Sequence, residues 1–157
     1  MAKTTNSVAQ ACAKIEIQPG CTGSWYDIGG EMTTITLPEE AVTTGSMAVF
    51  NADTHVLNSG KKEPITAAVS GVYTEEATEA FERVRAVWGA AGCNKQMCVR
   101  ATPQGGSIGD LEIYVGDADD RALLVGFKPP DLDAGSGDPA AFSFSVFGNY
   151  TFDTKAS

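Results

Sequence analysis

Alternation of apolar and polar residues predicts strands along most of the chain. In residues 13–18 every second position is apolar, as expected for a strand buried on one face. Comparable patterns predict further strands at 32–37, 65–73 (interrupted at 70–71), 97–102, 111–115, 122–127 and 142–152. The turn-rich tip at 116–120 predicts that strands 111–115 and 122–127 form a β-hairpin.

One segment has helical periodicity. Thr74 is a suitable N-cap, the glutamates that follow it favour the positive end of a helix dipole, and Gly89 or Gly92 supplies a stop. The apolar residues at helical spacing are Ala77, Phe81, Val84 and Trp88. The strand order with this helix predicts a mainly β fold, an antiparallel β-sandwich or barrel with one flanking α-helix, in a single domain over residues 1–157.

Periodicity is lost in residues 38–62, which predicts a long loop inserted between two strands. The loop contains five larger apolar residues, Met47, Val49, Phe50, Val56 and Leu57. Apolar side chains in an irregular segment need a surface to cover them. Either the loop folds back on its own sheet or it docks on a neighbouring molecule, and the pattern does not choose between the two.

Composition limits the class of protein. The 157 residues are 43% hydrophobic and 20% charged, which is typical of a globular domain. The 11 Lys and Arg residues against 20 Asp and Glu give a formal charge of −9, which argues against tight binding to phosphate backbones. The chain has no apolar run long enough for a signal peptide or a membrane span, so we expect a soluble protein made in the cytoplasm.

The four cysteines match no metal-binding or redox spacing. They lie at Cys12, Cys21, Cys93 and Cys98. Buried thiols are the favoured interpretation. A disulfide is the alternative, with Cys93 and Cys98 as a pair that a bend could bring together.

Candidate catalytic chemistry is sparse. His55 is the single histidine and lies in the long loop, where a surface or interface position is favoured over a catalytic one. The glycine-rich segment 105–109 lacks the lysine of a phosphate-binding loop and predicts a turn. The acidic segments 117–120 and 131–135 have no glutamate at the twelfth position of a calcium loop. We therefore predict no enzyme activity, no cofactor and no metal.

Five segments resemble the major tail tube proteins of long non-contractile-tailed bacteriophages, the siphophage tail tube family. They are GSWYDIGG at 23–30, SGKKEPI at 59–65, VSGVYTEE at 69–76, VRATPQGG at 99–106 and FSFSVFG at 142–148. Together with the order of the predicted elements, the resemblance covers about residues 15–153. It implies a phage tail tube-like fold, a β-sandwich with a flanking helix.

The resemblance also implies an assembly. Family members form hexameric rings whose hairpins join in a continuous β-barrel around a channel, and the rings stack into a tail tube. The implied partners are copies of the chain itself, the tape-measure protein and the tail initiator and terminator proteins. Genomic DNA would pass through the lumen during ejection without specific binding, since an acidic channel repels phosphate. The implied location is the tail of the virion, with assembly in the host cytoplasm and no membrane association.

In this family the long loop contacts neighbouring subunits and rings. By position, the resemblance makes Met47, Val49, Phe50, Val56 and Leu57 the candidate interface residues.

Two other functions fit the same residues. The first is another ring-forming phage or secretion-tube component, such as a tail terminator or the inner-tube protein of a contractile machine. The second is a small β-barrel that binds an apolar ligand in a cavity lined by aromatic residues. The candidates for such a lining are Phe142, Phe144, Phe147 and Trp88. A hydrolase that uses His55 is the least favoured function.

Overall fold

The structure is a computed structural model that describes residues 3–4 and 6–156. Residues 1, 2, 5 and 157 of the predicted domain 1–157 lie outside the described part of the chain. In chain order, the elements are a short 3-10 turn Gln10–Cys12, β1 (Lys14–Pro19), β2 (Tyr26–Asp27), β3 (Met32–Thr36), β4 (Val42–Met47), β5 (Val56–Lys62), β6 (Ile65–Val72), α1 (Ala80–Gly89), β7 (Met97–Thr102), β8 (Leu111–Val115), β9 (Leu123–Lys128), β10 (Ala141–Gly148) and β11 (Tyr150–Thr154).

The strands form two larger antiparallel sheets and a separate hairpin. The five-stranded sheet has the order β11-β8-β7-β1-β2, and the four-stranded sheet has the order β3-β6-β10-β9. Strands β4 and β5 pair with each other in the third sheet. The predicted fold class, mainly β with antiparallel sheets and a flanking helix, is confirmed.

The two larger sheets and the helix share one hydrophobic core. Strand β1 contributes Ile17, and the four-stranded sheet contributes Val69 and Phe144, all three at most 1% exposed. Helix α1 buries Phe81 and Val84 in the same cluster. The helix therefore closes the core, as its predicted apolar face requires.

The predicted hairpin of strands 111–115 and 122–127 is wrong. Strand β8 pairs with β7 and β11, whereas β9 pairs with β10 in the other sheet. The intervening segment crosses between the sheets, where buried Ala122 packs between two glycines. A β carbon would lie 2.5 Å from Ala122 if added at Gly116 and 2.8 Å if added at Gly148. These contacts are too close for any larger residue, so the two glycines permit the crossing.

The predicted single strand 142–152 is also wrong, because it divides at Asn149. Strand β10 belongs to the four-stranded sheet and β11 to the five-stranded sheet. Phe142 and Phe144 are buried, whereas Phe152 is 57% exposed. The apolar pattern continues across both strands, so it did not reveal that the chain changes sheets.

The helix starts later than predicted. It begins at Ala80 after an extended Glu79, and no described residue bonds to the buried hydroxyl of Thr74, the predicted N-cap. Its predicted end at Gly89 is confirmed, and Lys95 Nζ donates a 2.5 Å hydrogen bond to the carbonyl oxygen of Trp88. A cation at that end satisfies a terminal carbonyl and favours the helix dipole.

The interpretation of the four cysteines as buried thiols is wrong, and so is the alternative pair Cys93–Cys98. Cys21 and Cys98 form a disulfide with both residues fully buried, whereas Cys12 and Cys93 are exposed free thiols in the described part of the chain. The turn after β1 places Cys21 beside β7, because Gly20 donates its N–H to the Gln96 carbonyl oxygen at 2.9 Å. Strand pairing across 77 residues thus creates a proximity that local spacing did not show.

Candidate assembly surface

Residues 38–62, predicted to be an irregular loop, contain a β-hairpin. Strands β4 and β5 are joined by residues 48–55, and Met47 lies opposite Val56 in their register. A bulge follows Val42, where a β carbon at Gly60 would lie 2.1 Å from the Thr43 hydroxyl oxygen. The predicted loop is therefore corrected to an ordered arm of two strands that pair with each other.

The hairpin projects away from the core. Every residue from 41 to 64 is exposed, and among the described strands β4 and β5 pair only with each other. The five candidate interface residues have the exposed fractions Phe50 107%, Leu57 76%, Met47 71%, Val56 51% and Val49 44%. They do not fold back on the chain's own sheet, so the monomer leaves their apolar surface uncovered.

Apolar side chains occur on both faces of the hairpin. Met47 and Val56 are directly opposite each other and share one face. Leu57 follows Val56 and therefore lies on the other face. Phe50 lies in the connecting segment. A flat partner surface would cover one face, whereas a groove would cover both.

The base of the hairpin is attached to the domain by polar contacts. Lys62 forms a 3.3 Å salt bridge with Glu40 across the base. Tyr150 of β11 donates a 2.7 Å hydrogen bond to the Pro38 carbonyl oxygen. Burial, together with the nearby Glu40 carboxylate, raises the pKa of Tyr150 and keeps its hydroxyl protonated as a donor. The arm is thus tied to the five-stranded sheet at its base and is exposed beyond it.

A buried polar cluster lies on the face of the five-stranded sheet that points away from the core. Arg100 Nε donates a 2.6 Å hydrogen bond to Glu16 Oε2, Arg100 Nη2 forms a 2.6 Å salt bridge with the same oxygen, and Tyr114 donates a hydrogen bond to Glu112. The Arg100 guanidinium stacks 4.5 Å from the Trp25 ring centre. These contacts connect the loop before β2 to strands β1, β7 and β8 of the five-stranded sheet. Strand β11 of the same sheet carries Tyr150, which bonds to the base of the hairpin.

Electrostatics keep the cluster charged. Burial alone would raise the pKa of Glu16, but hydrogen bonds from Arg100 and Lys14 outweigh it and hold that pKa below its usual value. Burial alone would lower the pKa of Arg100, but hydrogen bonds to Glu16 and Tyr114 raise it instead. The ion pair is therefore stable in its charged form near neutral pH.

The residues weighed for other chemistry lie apart. His55 is exposed in the hairpin arm, and Asp117 accepts the backbone N–H groups of Asp119 and Asp120 in a turn. The predicted turn at 105–109 is confirmed. The carboxylate of Asp110 accepts the backbone N–H groups of Gly106 and Ser107, which in a phosphate-binding loop would face the phosphate. In residues 3–4 and 6–156, no three His, Cys, Asp or Glu side chains are grouped so that they could hold a metal ion.

The aromatic residues weighed for a ligand cavity do not surround one space. Phe142 and Phe144 stack on each other in the core, with ring centres 6.2 Å apart. Trp88 packs against Phe127 near the helix, and Phe147 is 39% exposed. Phe142, Phe144 and Trp88 therefore pack in or against the core instead of lining a cavity. Within the described residues, no helix has the length and apolar character needed to cross a membrane.

No protein-family model and no curated protein sequence matches this chain. Solved structures do. A chain of the tube-terminating cap of the anti-feeding prophage aligns with a TM-score of 0.72 and 10% identity, over 98% of this chain and 95% of that chain. A chain of the sheath-tube complex of the extracellular contractile injection system PVC aligns with a TM-score of 0.71 and 9% identity, over 98% and 99%.

A third similarity is to the tail of a gene transfer agent (GTA) particle, refined with C6 symmetry. It has a TM-score of 0.60 and 12% identity, over 99% of this chain and the whole of that chain. At such identities the likeness concerns the fold. The chain has the tail tube fold. The siphophage family in particular remains a prediction.

Proposed function

We propose that this chain is a structural subunit of a phage or phage-like tail tube, with no enzymatic role, and that it assembles into hexameric rings which stack into a tube. The observation that carries the proposal is the ordered hairpin arm, uncovered and apolar on both faces, on a domain with the tail tube fold. The C6 symmetry of the similar GTA tail supports six copies in a ring. The proposed location is accordingly the tail of a particle.

Met47, Val49, Phe50, Val56 and Leu57 are the proposed contact residues between subunits. Burying a side chain such as Phe or Leu contributes about 1.5–3 kcal/mol relative to full exposure. Phe50 is fully exposed and Leu57 nearly so, and each subunit would bury its arm once in an assembled tube. Their burial is a source of assembly free energy that the monomer leaves unused.

The proposed channel is acidic. Six chains of formal charge −9 carry −54 in each ring. A negative lumen would repel phosphate groups, so genomic DNA would pass without adhering to the wall. Tape-measure, initiator and terminator proteins belong to this proposal as assembly partners.

A terminator or cap subunit is the second candidate. The similarity to the anti-feeding prophage cap is as high as the similarity to the sheath-tube complex. The two functions differ in propagation, since a terminator forms one ring whereas a tube subunit stacks. Electron microscopy distinguishes them directly.

The test is negative-stain microscopy of the concentrated protein. The parent is compared with the double variant Met47→Asp, Phe50→Asp and with Leu132→Asp as a matched control, since Leu132 is 83% exposed outside the arm. We expect hollow tubes in the parent and in the control and none in the double variant. Single rings in the parent would favour the terminator. A parent that stays monomeric would contradict self-assembly, and a thermal-shift screen would then test ligand binding.

A further inference from the structure

A ring or a tube needs two different complementary surfaces on each subunit. The hairpin arm supplies one surface. A heterologous contact, in which one patch binds a different patch of the next copy, builds rings and helical stacks. In such a contact the acceptor for the arm lies elsewhere on the chain.

One groove on the domain matches the arm in chemistry. It has a volume of about 580 Å³ and lies between the segment before β1 and the edge strand β3. Its apolar lining comes from Val8, Ala11, Ala13, Ile15, Met32 and Ile35. None of the described residues that line this groove carries a charge, although one residue in five of the chain is charged.

The two larger grooves of the domain are lined in part by charged residues, and a second uncharged groove, of about 560 Å³, lies on the arm itself. The groove under the loop after β9 is lined by Lys128, Asp131, Asp133 and Asp138, and the groove beside α1 is lined by Glu82, Arg83 and Lys95. An apolar arm placed there would take charged groups out of water, which is unfavourable even for Lys128 and Asp131, which pair with each other at 2.8 Å. The uncharged groove receives the arm without that cost.

One wall of the uncharged groove also has free hydrogen-bonding capacity. Strand β3 is the edge of the four-stranded sheet and pairs with β6 on one side only among the described strands. Its outward backbone N–H and C=O groups are open to another strand. A groove of this shape can contact both faces of an arm that is apolar on both faces.

We propose that the groove between residues 8–13 and β3 is the acceptor for the hairpin arm of a second copy of this chain. This inference rests on the proposed function and adds the partner surface. The contact is donor arm to acceptor groove, so each subunit uses both surfaces, once with each of two neighbours.

A native cysteine makes the contact testable. Cys12 is an exposed free thiol at the edge of the groove: it does not line the groove itself, but its neighbours Ala11 and Ala13 do. The variant Val49→Cys puts a thiol beside Phe50 and leaves Phe50 in place. Mild oxidation of assembled protein should give a disulfide between Cys12 of one chain and position 49 of another, identified by peptide mass spectrometry.

Two controls make this result specific. Cys12→Ser in the Val49→Cys background should abolish the cross-link, and Leu132→Cys in place of Val49→Cys should give none to Cys12. Cys93, also exposed but on the loop after α1, serves as an internal competitor. Tubes in which position 49 cross-links chiefly to Cys93, or to position 49 of another chain, would overturn the acceptor groove and leave the tube function intact. A parent chain that forms no rings or tubes would count against the proposed function itself.

A charge placed in the groove provides a second test. Val8 is 44% exposed, so Val8→Asp should leave the thermal unfolding midpoint unchanged. It should raise the protein concentration needed for assembly by about tenfold or more, because the arm would then bury a carboxylate. Unchanged assembly of Val8→Asp would refute the groove as the acceptor.

Discussion

Replacing Arg100 with methionine should destabilise the folded domain by about 3 kcal/mol at neutral pH. The substitution keeps an apolar stem beside Trp25 but removes the cation that pairs with Glu16 at 2.6 Å. Removing one partner of a buried ion pair costs about 3–5 kcal/mol, because the other charge remains buried.

The lower end of that range applies for two structural reasons. The Arg100 side chain keeps 16% of its surface exposed, and Lys14 remains 2.9 Å from the other Glu16 oxygen. Glu112 also loses Arg100, at 4.0 Å, but it keeps the hydrogen bond from Tyr114. For a domain of this length, about 3 kcal/mol corresponds to a fall of about 6–12 °C in the unfolding midpoint.

The destabilisation caused by Arg100→Met should depend on pH, and the direction of that dependence follows from the pKa of Glu16. The pKa of Glu16 is held below its ordinary value of 4.5 in the folded protein. Its stabilising contribution is therefore present above that value and is lost as pH falls through the lowered folded pKa. In Arg100→Met the carboxyl loses its principal partner and is protonated more readily. The difference in stability between parent and variant should then shrink below about pH 4.5.

Urea unfolding, followed by circular dichroism at several pH values, measures these quantities. The double variant Arg100→Met, Glu16→Gln removes both charges and should lose about 1 kcal/mol, less than the single variant. A single variant that loses under about 1 kcal/mol, or a double variant no more stable than the single, would refute the account of the cluster.

Three further predictions concern the disulfide, a close strand contact and the arm. Cys98→Ser should lower the unfolding free energy of the oxidised protein by about 4 kcal/mol, because the disulfide with Cys21 closes a long loop. Cys93→Ser should leave it unchanged, since Cys93 is a free thiol. Urea unfolding with and without reductant measures both. Gly71→Ala should cost about 1–3 kcal/mol, because its β carbon would lie 2.8 Å from a backbone carbonyl oxygen before β3, whereas Gly45→Ala has open space and should cost under about 1 kcal/mol; equal thermal shifts would contradict this. Phe50→Ala should raise the critical concentration for tube assembly about 30-fold by pelleting, the equivalent of about 2 kcal/mol of lost burial, and an unchanged value would contradict a contact there.

The alternation of apolar and polar residues was enough to predict the position of most strands. Strands β7 and β8 have the predicted bounds, and β1, β3 and β6 are within one residue of them, although the interruption predicted at 70–71 is wrong because β6 runs through Ser70 and Gly71. Alternation reports which face of a strand is apolar, so neighbouring residues carry this signal. The mainly β class and the apolar residues of the arm follow from the same kind of information.

Tertiary structure decided which strands pair and what the arm is. The division of the last strand at Asn149, and the crossing around Ala122, depend on a close approach of segments distant in the chain. The bond between Cys21 and Cys98 depends on the same kind of proximity, which the pairing of β1 with β7 supplies.

For the candidate assembly surface, too, the sequence indicated some features and only the folded structure decided others. Its residues were predictable, because apolar side chains in a polar, aperiodic segment are conspicuous by type alone. Its form was not, because the register of β4 on β5 places Met47 and Leu57 on opposite faces only once the two strands are paired. The uncharged groove joins residues 8–13 to β3, and only the folded chain brings those segments together.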